Sequence, residues 1–167
     1  MLSTMFVLAA SIVVGQGETP QGEWLRFLKG EWTYEYSSLS ADGVVLKGDV
    51  KYTSASNGSA VVAKGVEGKD KWVELIGWQP DRKKMVFLGY GSLNDNYWLS
   101  EYDNVTKEKL DGVTSGVLPD GRRVTGTSTL KRVGDDAFEV HLKLKSGDDE
   151  IADVGKFKRV SNSKVKK

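Results

Sequence analysis

Hydrophobic and polar side chains alternate along most of this chain with a period of two residues. Trp32, Tyr34 and Tyr36 fall on one side of the first such segment, and polar residues occupy the positions between them. This alternation is typical of a β-strand that buries one face. About ten segments of this kind follow one another, separated by turn residues such as Asn57-Gly58. The pattern therefore predicts an all-β protein.

A different spacing precedes the first predicted strand. Trp24, Leu25, Phe27 and Leu28 recur at helical intervals, and Gly30 follows them as a stop signal. We therefore expect one short amphipathic helix near the N-terminus.

The connections between the predicted strands are short, which favours antiparallel neighbours that follow one another up and down. A meander of about ten strands usually removes its two free edges by closing on itself. We therefore expect an antiparallel up-and-down β-barrel over residues 18–160, a length that suits a single domain.

The two ends of the chain have other compositions. Residues 5–14 form an apolar block that lacks charge and is too short to span a membrane. The block predicts a signal peptide over residues 1–17, cleaved before Gln16 or before Glu18. The alternative is an apolar segment that is retained. A signal implies export to the periplasm or the cell exterior, with no membrane span after cleavage. Residues 161–167 are predicted to be a basic, disordered tail.

The overall charge and the absence of cysteine exclude several classes of function. Lys and Arg number 24 and Asp and Glu number 23, which gives a formal net charge of +1. Such a chain has no long-range field to attract a polyanion, so we expect no nucleic-acid partner. Without cysteine, thiolate catalysis, thiolate metal sites and disulfides are excluded.

His141 is the only histidine of the chain. Its neighbours Val140 and Leu142 belong to the apolar side of their segment, so His141 is expected on the solvent face. That position disfavours a Ser-His-Asp triad. The acidic run at residues 148–150 is typical of a hairpin tip rather than a calcium loop. We therefore predict no catalytic residue, no metal and no cofactor.

Two short motifs carry a resemblance to known families. Residues 27–32, Phe-Leu-Lys-Gly-Glu-Trp, resemble the "FL-x-G-x-W" opening of lipocalin-like barrels. Residues 76–81 and 84–90 resemble the central block of a bacterial family of exported proteins known only as a domain of unknown function, and the likeness extends over residues 25–160. The resemblance implies a lipocalin-like or calycin-like barrel and export, and it implies no reaction.

The opening motif is also similar to that of nitrobindin-like haem barrels, in which a histidine on the last strand binds the iron. This chain departs from that pattern, because its single histidine, His141, is expected to face solvent. The haem of that group is therefore not expected here.

The parity of Trp32 predicts which side chains face the interior of the barrel. They form a polar and aromatic set that is unusual for a sealed core. The candidates for the lining of a ligand site are Tyr34, Tyr36, Tyr52, Trp72, Glu74, Trp98, Ser100 and Tyr102, and the same parity predicts that Trp78 also lines the interior.

Three functions are compatible with this interior. The preferred hypothesis is a non-catalytic, lipocalin-like protein that binds a small apolar or amphipathic molecule. The alternative is a structural or interaction domain whose barrel is filled, and a cavity of about 300 Å³ or more would argue against it. The third is an enzyme that uses Glu74 as acid or base. It would require a raised pKa at Glu74 and a second polar group within hydrogen-bond reach.

Overall fold

The structure is a computed structural model that describes residues 19–38, 45–93 and 95–160. The predicted signal peptide and basic tail lie outside the described residues. The described residues form one α-helix and ten β-strands. Their bounds are α1 Pro20–Leu28, β1 Gly30–Ser38, β2 Val45–Ala55, β3 Ala60–Glu67, β4 Asp70–Gln79, β5 Lys84–Gly91, β6 Tyr97–Val105, β7 Lys109–Val117, β8 Arg123–Arg132, β9 Ala137–Ser146 and β10 Asp149–Arg159.

The strands form a closed barrel in which every strand pairs antiparallel with its neighbours in the chain. The ring is closed by the first and last strands, which pair from Trp32 opposite Arg159 to Ser38 opposite Asp153. Closure leaves no free strand edge. The predicted antiparallel up-and-down barrel of about ten strands with a short N-terminal helix is confirmed.

Helix α1 closes one end of the barrel. Thr19 caps its N-terminus by accepting a hydrogen bond from the Gly22 amide, and Pro20 occupies the first turn, where a missing N–H costs nothing. The helix buries its apolar face in the barrel, and the Trp24 indole donates to the Thr106 carbonyl at 2.7 Å. Its nine residues are too few to cross a membrane, and no other α-helix is formed by the described part of the chain.

The end beneath α1, which we call the base, is densely packed around Trp32. The Trp32 side chain is fully buried, and its indole donates to the Leu28 carbonyl at 2.7 Å. Arg159 lies over the Trp32 ring at 4.2 Å and donates to the carbonyls of Phe27 and Lys29 at 2.7 and 2.6 Å. The orphan carbonyls at the end of the helix are thereby satisfied.

Two turns differ from the sequence prediction. The chain around Asn57 forms a short 3₁₀ turn rather than a two-residue hairpin, with positive φ at both Ser56 and Asn57. The sequence pattern predicts strands over residues 97–102 and 106–117, whereas β6 continues to Val105 and β7 begins at Lys109, with a register shift between Tyr102 and Asn104. Such a bulge inserts a residue that alternation alone does not reveal.

Candidate functional site

The interior of the barrel is hollow from the end opposite α1 down to Leu28 and Phe138. It encloses a cavity of about 770 Å³, which we call the lumen. The lumen reaches the end opposite α1, which we call the mouth, where Asp70, Pro119 and Asp149, at the hairpins that join strands there, border it. All eight predicted lining residues border the lumen: Tyr34, Tyr36, Tyr52, Trp72, Glu74, Trp98, Ser100 and Tyr102.

Trp78 does not border the lumen, although it shares the parity of Trp72 and Glu74. Strand β4 runs from the mouth toward the base, and Trp78 lies near its lower end, opposite Met85. There it is partly buried against the core. Parity identifies the face of a strand but not the depth along the barrel, so the prediction for Trp78 is corrected.

Glycines opposite the lining aromatics keep the lumen open. Trp98 of β6 pairs with Gly89 of β5, and Trp72 of β4 pairs with Gly65 of β3. A Cβ added to either glycine would overlap the indole ring that lies against it. The missing side chains therefore let the rings lie flat on the wall, where a larger residue would push them inward. Two further pairs have the same arrangement, Tyr34 with Gly48 and Tyr36 with Gly155.

Glu74 is the deep carboxylate of the lumen. Its Oε1 accepts a hydrogen bond from the Trp98 indole at 2.6 Å. Burial raises the pKa of Glu74 to about 7, and the hydrogen bond from Trp98 opposes part of that rise. The described residues supply no lysine or arginine in an ion pair with it. Glu74 is therefore an enclosed acid without a counter-ion.

A second polar group lies nearer the mouth. The Trp72 indole donates to the Tyr34 hydroxyl at 3.0 Å, and that hydroxyl also hydrogen-bonds Glu67. Burial raises the pKa of Glu67, although the bond from Tyr34 opposes it. The aromatic wall thus carries hydrogen-bonded polar ends that fix its ring positions.

Three phenol groups surround Glu74. Burial raises the pKa values of Tyr36, Tyr52 and Tyr102, and the negative charge of Glu74 acts in the same direction on all three. The Tyr102 hydroxyl is hydrogen-bonded to the Ser128 hydroxyl at 2.8 Å. These phenols therefore remain neutral and polar at ordinary pH. They offer hydrogen bonds without charge.

The prediction from sequence missed several residues of the lumen on later strands. Thr114 and Ser128 are buried there, and Thr114 hydrogen-bonds Ser100 at 2.6 Å. Asp153 borders the lumen from β10, and the described residues give one of its buried carboxylate oxygens no hydrogen-bond partner. Alternation with Phe157 would have indicated the inward direction of Asp153.

His141 lies outside the lumen, as its parity predicts. Its side chain is 44% exposed and its Nε2 is 3.0 Å from a carboxylate oxygen of Glu139. The neighbouring Leu142 borders the lumen instead. No cluster of three metal-binding side chains occurs among the described residues.

Comparisons with known proteins support the fold. No protein-family profile matches the chain. No curated protein matches it either. An S-type phycobiliprotein lyase from Guillardia theta superposes with a TM-score of 0.53 at 10% identity, over 87% of this chain and 96% of that one. This similarity shows the barrel fold alone.

Two other solved structures are less similar in shape. A de novo designed fluorescence-activating β-barrel gives a TM-score of 0.48 at 16% identity, over 83% of this chain and 98% of that one. A protein of unknown function from the DUF3598 family of Nostoc punctiforme PCC 73102 gives 0.46 at 12% identity, over 81% of this chain and 48% of that one.

Proposed function

We propose that this protein binds a small apolar or amphipathic molecule in the lumen and does not transform it. The observation that carries the proposal is a cavity of about 770 Å³ whose wall joins aromatic faces to a few placed polar groups. Ligand sites in proteins commonly have volumes of about 300–1,000 Å³ and this mixture of surfaces.

The lumen argues against the alternative of a filled barrel. Its volume of about 770 Å³ exceeds the roughly 300 Å³ above which a ligand is favoured over packing. Gly65 and Gly89 let the Trp72 and Trp98 rings lie against the wall rather than in the space that they border. An interaction domain would gain nothing from an interior that is kept open in this way.

The proposal is tested with diphenylhexatriene, an uncharged probe that fluoresces in apolar surroundings. The full chain should enhance its fluorescence in a saturable manner, and Trp98→Ala should abolish the enhancement by removing part of the wall. Tyr90→Ala is the matched control, because Tyr90 is an aromatic residue of β5 that is 52% exposed outside the lumen. No saturable binding by the unmodified protein would refute the proposal.

A second candidate function is acid or base catalysis by Glu74. The observation in its favour is the pKa of about 7, which suits proton transfer at neutral pH. Its nearest polar partner is the Trp98 indole, which donates a hydrogen bond but does not titrate. Turnover of a co-purifying ligand by the wild type, abolished in Glu74→Gln, would establish catalysis over simple binding.

The export of the protein is a separate part of the proposal and rests on the apolar block of residues 5–14. If the block is a signal peptide, the protein from its own host should lack residues 1–15 or 1–17. Intact-protein mass spectrometry measures this directly, and a full-length mass in the exported fraction would contradict cleavage.

A further inference from the structure

The charges that border the lumen are almost all of one sign. Six carboxylates and a single guanidinium contribute to its lining, although the whole chain has a formal net charge of +1. The guanidinium belongs to Arg122, which is paired with Asp120 at 2.7 Å and with Asp149 at 3.6 Å. The carboxylates are those of Glu67, Asp70, Glu74, Asp149, Glu150 and Asp153. The lumen therefore attracts cations and repels anions.

The deepest of these carboxylates is incompletely satisfied. One oxygen of Glu74 accepts the Trp98 N–H, and the described residues give the other oxygen no donor. An enclosed carboxylate without a counter-ion is costly, and a cation placed beside it would relieve that cost. A bound cation would supply the positive charge that the described residues do not place beside the Glu74 carboxylate.

Aromatic faces surround the approach to Glu74. The rings of Trp72 and Trp98 lie 5.8 Å apart at 72°. The rings of Tyr34 and Tyr36 also lie 5.8 Å apart, at 78°. Rings at such steep angles present faces and edges to one shared space, and the negative face of an aromatic ring attracts a cation.

The protein's own cations do not occupy these rings. The arginines that lie over aromatic faces, Arg132 over Phe27 and Arg159 over Trp32, are both at the base. No cation–π contact is formed in the lumen by the described residues. No cation of the described residues therefore competes with a ligand for the rings of the lumen.

From these observations we propose that the ligand of the lumen is an organic cation whose charged nitrogen contacts Glu74 beside Trp72 and Trp98. This inference rests on the proposed function, because it names the chemical class of the molecule that fills the same site. The apolar part of the cation lies along the aromatic wall, toward the mouth.

The test compares diphenylhexatriene with its trimethylammonium derivative, which has the same conjugated body and a permanent positive charge. The full chain should bind the cationic probe at least about tenfold more tightly than the neutral one. Glu74→Gln should remove most of this preference while it leaves the affinity for the neutral probe within about twofold, since the amide keeps the acceptor for Trp98 but not the charge. Circular dichroism checks that the variant is folded.

Glu150→Gln is the matched control. It removes the same charge from the mouth, where the Glu150 side chain is 74% exposed and screened by salt. The preference for the cationic probe should survive in this variant. Binding of the neutral probe with no preference for the cation, or a preference unchanged in Glu74→Gln, would overturn the inference and leave the proposed function standing. Binding of neither probe would overturn both.

The pH dependence provides a second readout. The trimethylammonium charge does not titrate, so its affinity should rise between about pH 5.5 and pH 8.5 as Glu74 ionises, and Glu74→Gln should show no such rise. The other titratable or charged groups that border the lumen are Tyr34, Tyr36, Tyr52, Tyr97, Tyr102, Glu67, Asp70, Asp149, Glu150, Asp153 and Arg122. A rise that persists in Glu74→Gln would assign it to another group such as Glu67, whose pKa burial also raises, and would contradict the role of Glu74.

Discussion

The base and the lumen are built from the same kinds of residue but differ in what faces each ring. At the base, Trp32 is enclosed by Phe138, at 5.0 Å between ring centroids, and by the Arg159 guanidinium at 4.2 Å. In the lumen, Trp98 has Glu74 at one edge and borders empty space. Aromatic content therefore does not distinguish a packed core from a ligand site. The two are distinguished by what contacts each ring, which is another side chain at the base and open space in the lumen.

The electrostatics of the two regions are also opposite. The base contains cations that lie on its rings and donate to carbonyl groups, as Arg159 does to Phe27 and Lys29. The lumen contains carboxylates and aromatic rings, and the described residues place no cation over those rings. The base is complete within the chain, whereas the lumen has the composition of a surface that is completed by a ligand.

The largest expected effect follows from Trp32→Ala at the base. Emptying a fully enclosed aromatic site should lower the free energy of unfolding by about 3–5 kcal/mol. The loss has two parts, because the ring is no longer transferred out of water on folding and because its removal leaves a cavity. Urea denaturation measures this loss.

The matched substitution is Trp98→Ala in the lumen. It should cost less than half as much, because the ring already lacks neighbours on one side. A loss below about 1 kcal/mol for Trp32→Ala, or equal losses at the two sites, would show that base and lumen are not packed differently.

A smaller effect, of opposite sign, is expected for Glu74→Gln. The pKa of Glu74 is about 7 in the folded protein against an ordinary 4.5, so the folded state holds a proton that the unfolded chain releases between these pH values. The wild type should therefore lose stability as the pH rises from 4.5 to about 7. Above that range Glu74→Gln should be the more stable protein, by on the order of 2–3 kcal/mol.

Urea denaturation at a series of pH values gives the difference between the two proteins. The difference should vanish below the ordinary pKa of a glutamate, where the wild-type side chain is protonated in both states. Glu35→Gln is the control, since Glu35 is exposed on the outside of β1 and paired with Lys47. A difference that is constant with pH would show that the Glu74 carboxylate is not desolvated.

The fold and the inward face of the early strands follow from the sequence for a local reason. Alternation at Trp32, Tyr34 and Tyr36 is set by backbone geometry alone, and turn residues mark where each strand ends. Closure follows because β1 and β10 would otherwise be free edges.

The depth of each residue and the emptiness of the interior do not follow from local pattern. Trp78 has the parity of Trp72 but lies toward the base, because depth depends on how all ten strands are offset around the ring. The role of Gly89 is similar. The structural role of a glycine in a strand cannot be predicted until its cross-strand partner, here Trp98, is known.

The smallest expected effect, and the sharpest contrast between lumen and base, comes from Gly89→Ala. The added Cβ overlaps the Trp98 indole, which can move only into the empty lumen. We expect a loss of about 1 kcal/mol in the free energy of unfolding, at the low end for overpacking, because the ring has space to enter. Affinity for diphenylhexatriene should fall several-fold, since the displaced ring occupies the site.

Gly77→Ala is the matched control for this substitution. Gly77 lies on the adjacent strand β4, and a Cβ there meets nothing closer than the Ala60 Cβ at 3.9 Å, so stability should change by less than about 0.5 kcal/mol and probe affinity should not change. If Gly89→Ala instead lowers the free energy of unfolding by more than about 3 kcal/mol, the Trp98 ring cannot move into the lumen and is packed as tightly as Trp32. In that case the lumen is as tightly packed as the base, and the contrast between the two regions fails at the residue on which it most depends.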